Sequence, residues 1–339
     1  MKFLSYSTSK GKERLALLVN ERIYDLAENG EKMAFSLPST MCEFLKGEQA
    51  MMDKARKIEA NILEGNSTEP LPRKEITLLA PIPHPTSCRD AYAFRQHVAT
   101  ARRNRGVDMI PEFDQFPVFY FTNHNAIIGE GDLILEQDHL KRLDFELEAA
   151  IVIGKRGKNI SAEKADSFIA GYTIMNDFSA RQLQMEEMKL NLGPAKGKDF
   201  ATAIGPWMVT PDEMQKFCEK TSKGNKYNLR MTARHNGKLV SDGNLKDMDW
   251  TFGEIIERVS YGVEVFPGDV IGSGTVGTGC YLELNGTWTL EAKEKGKTFE
   301  PIWLKDGDEI ELEIQALGKL TNRIVKKGNY SILEKKKNI

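Results

Sequence analysis

The segment that most restricts this chain is residues 143–153, LDFELEAAIVI. Its second half is an apolar run rich in branched side chains, the pattern of a strand buried on both faces. Glu146 and Glu148 stand two apart at its head, so on a strand they share a face. Two neighbouring carboxylates beside a core-forming run repel each other and lose hydration. They need a cation, or one must keep a proton. By spacing alone the pair fits an exposed face of an edge strand equally well.

A further acid tips the balance toward a metal. Asp177 ends the apolar run 171–176 and precedes a helical stretch that begins around Phe178. A carboxylate at a strand end beside a helix N-terminus is placed for a ligand. Taken alone it reads as an N-cap or as the i,i+4 partner of Arg181. Oxygen-only ligands suit hard cations: Mg²⁺ first, then Ca²⁺ or Mn²⁺, rather than Zn²⁺.

The surrounding pattern is mixed and mainly β. Residues 1–75 read as a small β module with strands over 2–6, 14–19 and 22–26, then one helix from a capping box at Thr40 and Glu43 toward Leu63. The stretch 65–73, GNSTEPLPR, is a linker pattern that separates it from residues 76–339. Strands are expected there over 118–122, 145–153, 171–176, 207–209 and 227–235. The last runs through Asn236-Gly237 into 238–241, a hairpin signal, and 309–316 with a run from Lys319 makes a second pair. Helices are expected over 92–103, 162–170, 180–188, 212–220 and 252–259. Without regular strand–helix alternation, a doubly wound sheet is excluded.

Charge narrows the partners. Lys+Arg 47 against Asp+Glu 49 gives a net charge of -2, with no global field for nucleic acid or an anionic membrane. The four cysteines, Cys42, Cys88, Cys218 and Cys280, form no C-x-x-C pair and read as free thiols. No run approaches the ~18 apolar residues of a membrane span, and the first residues lack a signal-peptide core, so a cytoplasmic protein is expected. Gly272-Ser273-Gly274-Thr275-Val276-Gly277 satisfies G-x-G-x-x-G, but residues 281–284 alternate like a strand where the dinucleotide fingerprint needs a helix. No nucleotide is expected.

The words DFELE, MNDFSARQ and GPAKGKDF, with DAYAFRQH from Asp90 and Gly274-Thr275 followed by Tyr281-Leu282-Glu283-Leu284, resemble the fumarylacetoacetate hydrolase family in content and order. The resemblance implies a mixed β-roll catalytic domain, a small SH3-like N-terminal domain and a homodimer. It implies metal ligands at Asp90, Glu146, Glu148 and Asp177, and a water-activating His97 partnered by Glu283. Lys198, Arg181 and Gln184 match the groups that hold substrate oxygens, Tyr92 and Thr275 further contacts, and Tyr120 a tyrosine at the far end. Thr202 falls where animal members place a peripheral metal.

The implied reaction is hydrolysis of a C–C bond in a small diketo or oxo acid, with His97 as general base and the cation taking up the enolate charge. Decarboxylation, hydration or isomerisation of a 2-oxo acid is the alternative on the same fold, and a non-catalytic cation-binding protein the alternative of another class. Departures bear on substrate. Met188 replaces a substrate-contacting tyrosine, Phe121 a polar histidine, and the arginine expected after His97 has three candidates, Arg102, Arg103 and Arg105.

Overall fold

The computed structural model describes residues 1–8 and 11–337. Strands β1 (Lys2–Thr8), β2 (Glu13–Val19) and β3 (Arg22–Asp25) form an antiparallel meander. The single helix expected from Thr40 is two: a turn over Met41–Leu45 and α1 (Glu48–Leu63). Gly47 separates them, a poor helix former whose successor Glu48 takes a positive φ of 46°, and the Thr40 side chain makes no cap bond.

The rest of the chain carries β4 (Cys88–Ala91), α2 (Arg95–Arg103), β5 (Phe119–Thr122), β6 (Gly131–Leu135), β7 (Leu147–Ile153), β8 (Ile169–Asn176), α3 (Arg181–Glu187) and β9 (Thr202–Val209). It continues through β10 (Arg230–His235), β11 (Lys238–Asn244), α4 (Phe252–Ser260), β12 (Val270–Gly272), α5 (Tyr281–Glu294), β13 (Glu309–Ile314) and β14 (Gly318–Lys326). The fold is mixed and mainly β.

Two sheets organise it. The larger runs β3-β2-β1-β9-β8-β7-β12-β4-β5, and the smaller β11-β10-β13-β14-β6. The N-terminal meander joins the larger sheet where β1 pairs β9, Lys2 opposite Val209. Strand β7 shows why its sequence is apolar without a break. Ala149, Ile151 and Ile153 pack with Leu312, Ile314 and Leu320 of the smaller sheet. Ala150 and Val152 pack instead with Phe44, Ile58 and Ile62 of the N-terminal helices. Both faces are covered, so both must be apolar.

Local chemistry explains other details. Asn236 and Gly237 both take positive φ, 49° and 77°, as a two-residue hairpin turn requires, and His235 pairs Lys238. Thr251 and Glu254 close a full capping box at α4. The helix expected over 212–220 is a 3-10 segment, Pro211–Phe217, followed by strand Cys218–Thr221, which pairs with Gly224–Tyr227. Pairing with a neighbouring strand overrides local propensity there. No helix among the described residues is long and apolar enough to cross a membrane.

Candidate metal centre and active site

Three neighbouring strands, β4, β7 and β8, bring four acids to one point around Gly272 of β12. Ala150 of β7 lies opposite Gly272 of β12, and Gly272 lies opposite Asp90 of β4, so Glu148 and Asp90 flank a residue without a side chain. A Cβ on Gly272 would come within 2.4 Å of Asp90 Oδ1 and 2.9 Å of Glu148 Oε2. On the other side Leu147 pairs Asn176, which brings Asp177, just past the end of β8, beside the head of β7. Glu146 stands one residue before β7 begins; its N–H donates to Asn176 Oδ1 at 3.0 Å, and this anchor, not strand alternation, sets its backbone. One oxygen from each of Asp90, Glu146, Glu148 and Asp177 lies within 4.8 Å of the others, and all four residues are buried.

The acids are answered unequally. The Lys198 ammonium donates to Asp177 Oδ2 at 2.6 Å and to Glu146 Oε2, while Arg181 Nη2 donates to Glu146 Oε1 at 2.7 Å. Burial opposes its ionisation, but Lys198, Arg181 and His97 hold Glu146 well below the usual carboxylate range. Asp90 and Glu148 have no cationic partner among the described residues: they share a hydrogen bond with each other and accept from the Gly274 N–H, at 3.0 and 3.2 Å, and the Thr275 hydroxyl, 3.2 Å from Glu148 Oε1. Burial, then the Asp177 charge, pushes Asp90 up to about 7; burial and Asp90 push Glu148 well above the carboxylate range. Asp177 Oδ1 is buried with no hydrogen-bond partner. An orphaned carboxylate oxygen beside two acids driven toward their protonated forms, in an oxygen-only donor set, fits a divalent hard cation.

Beside this cage His97, on α2, places Nδ1 2.7 Å from Glu283 Oε2, and both residues are buried. The other Glu283 oxygen accepts from Thr278 N–H at 3.0 Å, so the carboxylate is held at both ends. Tyr92 stands edge-on to the imidazole, ring centres 5.8 Å apart. Burial and the Glu146 charge push its phenol up to about 12, and Arg105 opposes that rise. All three candidate arginines have partners, Arg102 on the Asp108 carbonyl, Arg103 on Thr287 and Asn104, and Arg105 on the Ala101 carbonyl at 3.2 Å; Arg105 is the one whose charge bears on Tyr92. Arg181 Nη1 donates to Gln184 Oε1 at 2.8 Å, so these two share a face of α3. Tyr120, expected at the far end, donates its hydroxyl to Asp177 Oδ2 and so touches the acid cage itself. Met188 lies exposed past the end of α3. Thr202 begins β9, buried, its N–H on the Ala126 carbonyl.

One element departs from expectation. Residues 281–284 are the first turn of α5, not a strand. The cause is Asp144, whose carboxylate accepts from the N–H groups of Tyr281 at 2.7 Å and Leu282 at 2.9 Å. An acid on the first free N–H groups of a helix is a strong nucleating contact. Those same groups are what a pyrophosphate after the glycine run would occupy, and here a carboxylate occupies them. Asp144 also accepts from Arg181 Nε at 2.9 Å, so it joins Arg181 to the helix that carries Glu283. Sequence reasoning passed over Asp144, although it stands two residues before Glu146 in the same alternating series.

Comparison with known proteins gives the family and the fold. Residues 86–325 match the family described as fumarylacetoacetate (FAA) hydrolase, C-terminal. The chain is 32% identical over 291 residues to the oxaloacetate tautomerase FAHD2B, mitochondrial, of Bos taurus, covering 86% of this chain and 81% of that protein. It is 29% identical to the oxaloacetate tautomerase YisK of Bacillus subtilis, covering 91% and 94%. The solved fumarylacetoacetate hydrolase of Exiguobacterium antarcticum shares the fold, with a TM-score of 0.68 at 24% identity, covering 96% and 100%.

Proposed function

The chain belongs to the fumarylacetoacetate hydrolase family, and from that premise we propose that it interconverts the keto and enol forms of a small 2-oxo acid, with a divalent cation bound by Asp90, Glu146, Glu148 and Asp177. The observation that carries this reading is the buried four-acid cage with the His97–Glu283 pair beside it. The two sequence relatives named above are oxaloacetate tautomerases, which moves the first reading from C–C hydrolysis to the isomerisation held as its alternative.

When bound, a divalent cation supplies Lewis acidity toward the oxygens of a 2-oxo acid. The residues of the chain do the rest. Glu283 accepts the Nδ1 proton of His97 and so leaves Nε2 as the basic nitrogen. That nitrogen takes the C3 proton of the keto form; the C3–H bond breaks, the C2–C3 double bond forms, and the imidazolium returns a proton to the C2 oxygen, directly or through water, to give the enol and the neutral base. Lys198, pinned between Glu146 and Asp177, and Arg181, braced by Gln184, are the donors for the charge that develops on that oxygen. Tyr92 packs against the imidazole, and Arg105 beside it offers a charge for the second carboxylate of a diacid. Thr275 and Tyr120 hold Glu148 and Asp177 in place.

C–C hydrolysis is the second reading. The Glu283-oriented His97 is what supports it, since the same base can activate a water, and Lys198 and Arg181 suit a tetrahedral oxyanion as well as an enolate. The experiment supplies enol oxaloacetate and, separately, an acylpyruvate, with and without Mg²⁺, and follows enol absorbance with products identified by NMR. Mg²⁺-dependent conversion of the enol to intact keto acid is the expected result. Cleavage of the acylpyruvate would transfer the assignment to hydrolysis, loss of CO₂ to decarboxylation, and inertness toward both would leave only a cation-binding protein.

A further inference from the structure

Cys280 has no part in the chemistry above, yet it stands against the residues that do. It is the residue before α5, fully buried, and its sulfur, a His97 nitrogen and a Glu283 oxygen lie within 4.8 Å of one another. The acid cage offers oxygen alone; this second cluster offers nitrogen, sulfur and one carboxylate. That is a borderline-soft donor set of the kind three-ligand zinc sites use, with water as the fourth ligand. Donors at about 2.0–2.3 Å from a tetrahedral ion are roughly 3.3–3.8 Å apart, a separation the cluster reaches by small side-chain shifts. Burial pushes the thiol well up, and the nearby charges of Asp144, Glu146 and Glu283 push it the same way, with Arg181 opposing; of these, the carboxylates are what would favour a cation.

We propose that His97, Glu283 and Cys280 form a second divalent-metal site, selective for Zn²⁺ and other thiophilic ions, whose occupation inhibits the enzyme. Binding through Nδ1 replaces the His97–Glu283 hydrogen bond with two metal bonds, shifts the imidazole proton to Nε2 and releases the Cys280 proton to solvent. With Nδ1 on the metal and the proton on Nε2, the imidazole has no free lone pair to accept the C3 proton, so turnover stops while the acid cage keeps its own cation. The inhibitory consequence rests on His97 being the base; the metal site itself does not.

The test uses the full chain saturated with Mg²⁺, titrated with Co²⁺ for spectroscopy and with Zn²⁺ for activity, alongside Cys280→Ser and Cys280→Ala. Expected are a thiolate-to-cobalt charge-transfer band in the near ultraviolet for the native chain and none for either variant. The variants should keep basal activity and need more than about tenfold higher Zn²⁺ for the same inhibition. No such band overturns the site, as does equal Zn²⁺ sensitivity of all three proteins, which would put the inhibiting ion in the acid cage. A cysteine-dependent band without inhibition leaves the metal site standing and overturns the role of His97.

Discussion

Asp90→Asn should stabilise the metal-free protein while removing its cation site, and the size of the effect should follow pH. Asp90 is buried, and its carboxyl is pushed from 3.8 up to about 7. The native state therefore holds a proton that the unfolded chain gives up over that interval. Stability contributed by the protonated form is present below the lower value and is lost as pH rises to the upper one. The gap corresponds to on the order of 4 kcal/mol. Asparagine is neutral at every pH, and its carbonyl can still accept from the Gly274 N–H that Asp90 Oδ1 now holds at 3.0 Å. The assay is denaturant and thermal unfolding of both proteins in chelator. The two should match below about pH 4, the gap should open as pH rises from there to about 7, and at pH 8 the variant should lead by up to roughly 8 °C, taking about 2 °C per kcal/mol for a chain this large. Mg²⁺ should then raise the native protein at pH 8 and leave the variant unmoved. A stability difference that does not change with pH, or a variant weaker than the native chain at pH 8, would refute the idea of an acid cage strained by its own charge.

Other substitutions separate the parts. His97→Ala and Glu283→Gln should each lower turnover by about 10²–10⁴ while calorimetric Mg²⁺ affinity stays native; lost affinity would mean the pair supports the cage instead. Gly272→Ala puts a methyl 2.4 Å from Asp90 Oδ1, so Mg²⁺ affinity should fall by roughly 10–100-fold in a protein that unfolds at a near-native temperature. Asp144→Asn leaves Arg181 half-paired in a buried site and should cost about 3–5 kcal/mol in chemical denaturation. An unchanged unfolding midpoint would show that the contact to α5 carries little weight.

Much of this was legible in the residues because the signals were local and the side chains alternate. The unbroken apolar run of β7 meant burial on both faces, and packing of its odd residues on one sheet and its even residues on helices is what that requires. Two acids at its head meant a cation or a proton, and the cage shows both pressures. What escaped was decided at long range. Residues 281–284 alternate as a strand does, but Asp144, 137 residues earlier than Tyr281, captures the N–H groups that start a helix. Asp144 itself went unread because its partners, the N–H groups of Tyr281 and Leu282 and the Arg181 guanidinium, lie far along the chain, where no sequence spacing marks them. Thr40 and Glu43 have the letters of a capping box, yet Gly47 ends that helix after one turn. His97 would pass for a surface histidine until α5 brings Glu283 against it.

The most direct test is a crystal structure with Mn²⁺ in place of the native ion, read by anomalous scattering. A single strong peak about 2.0–2.6 Å from oxygens of Asp90, Glu146, Glu148 and Asp177 is the result expected of an oxygen cage around a hard cation. Mn²⁺ bound elsewhere, or a cage still closed on the Lys198 ammonium at saturating metal, would contradict it.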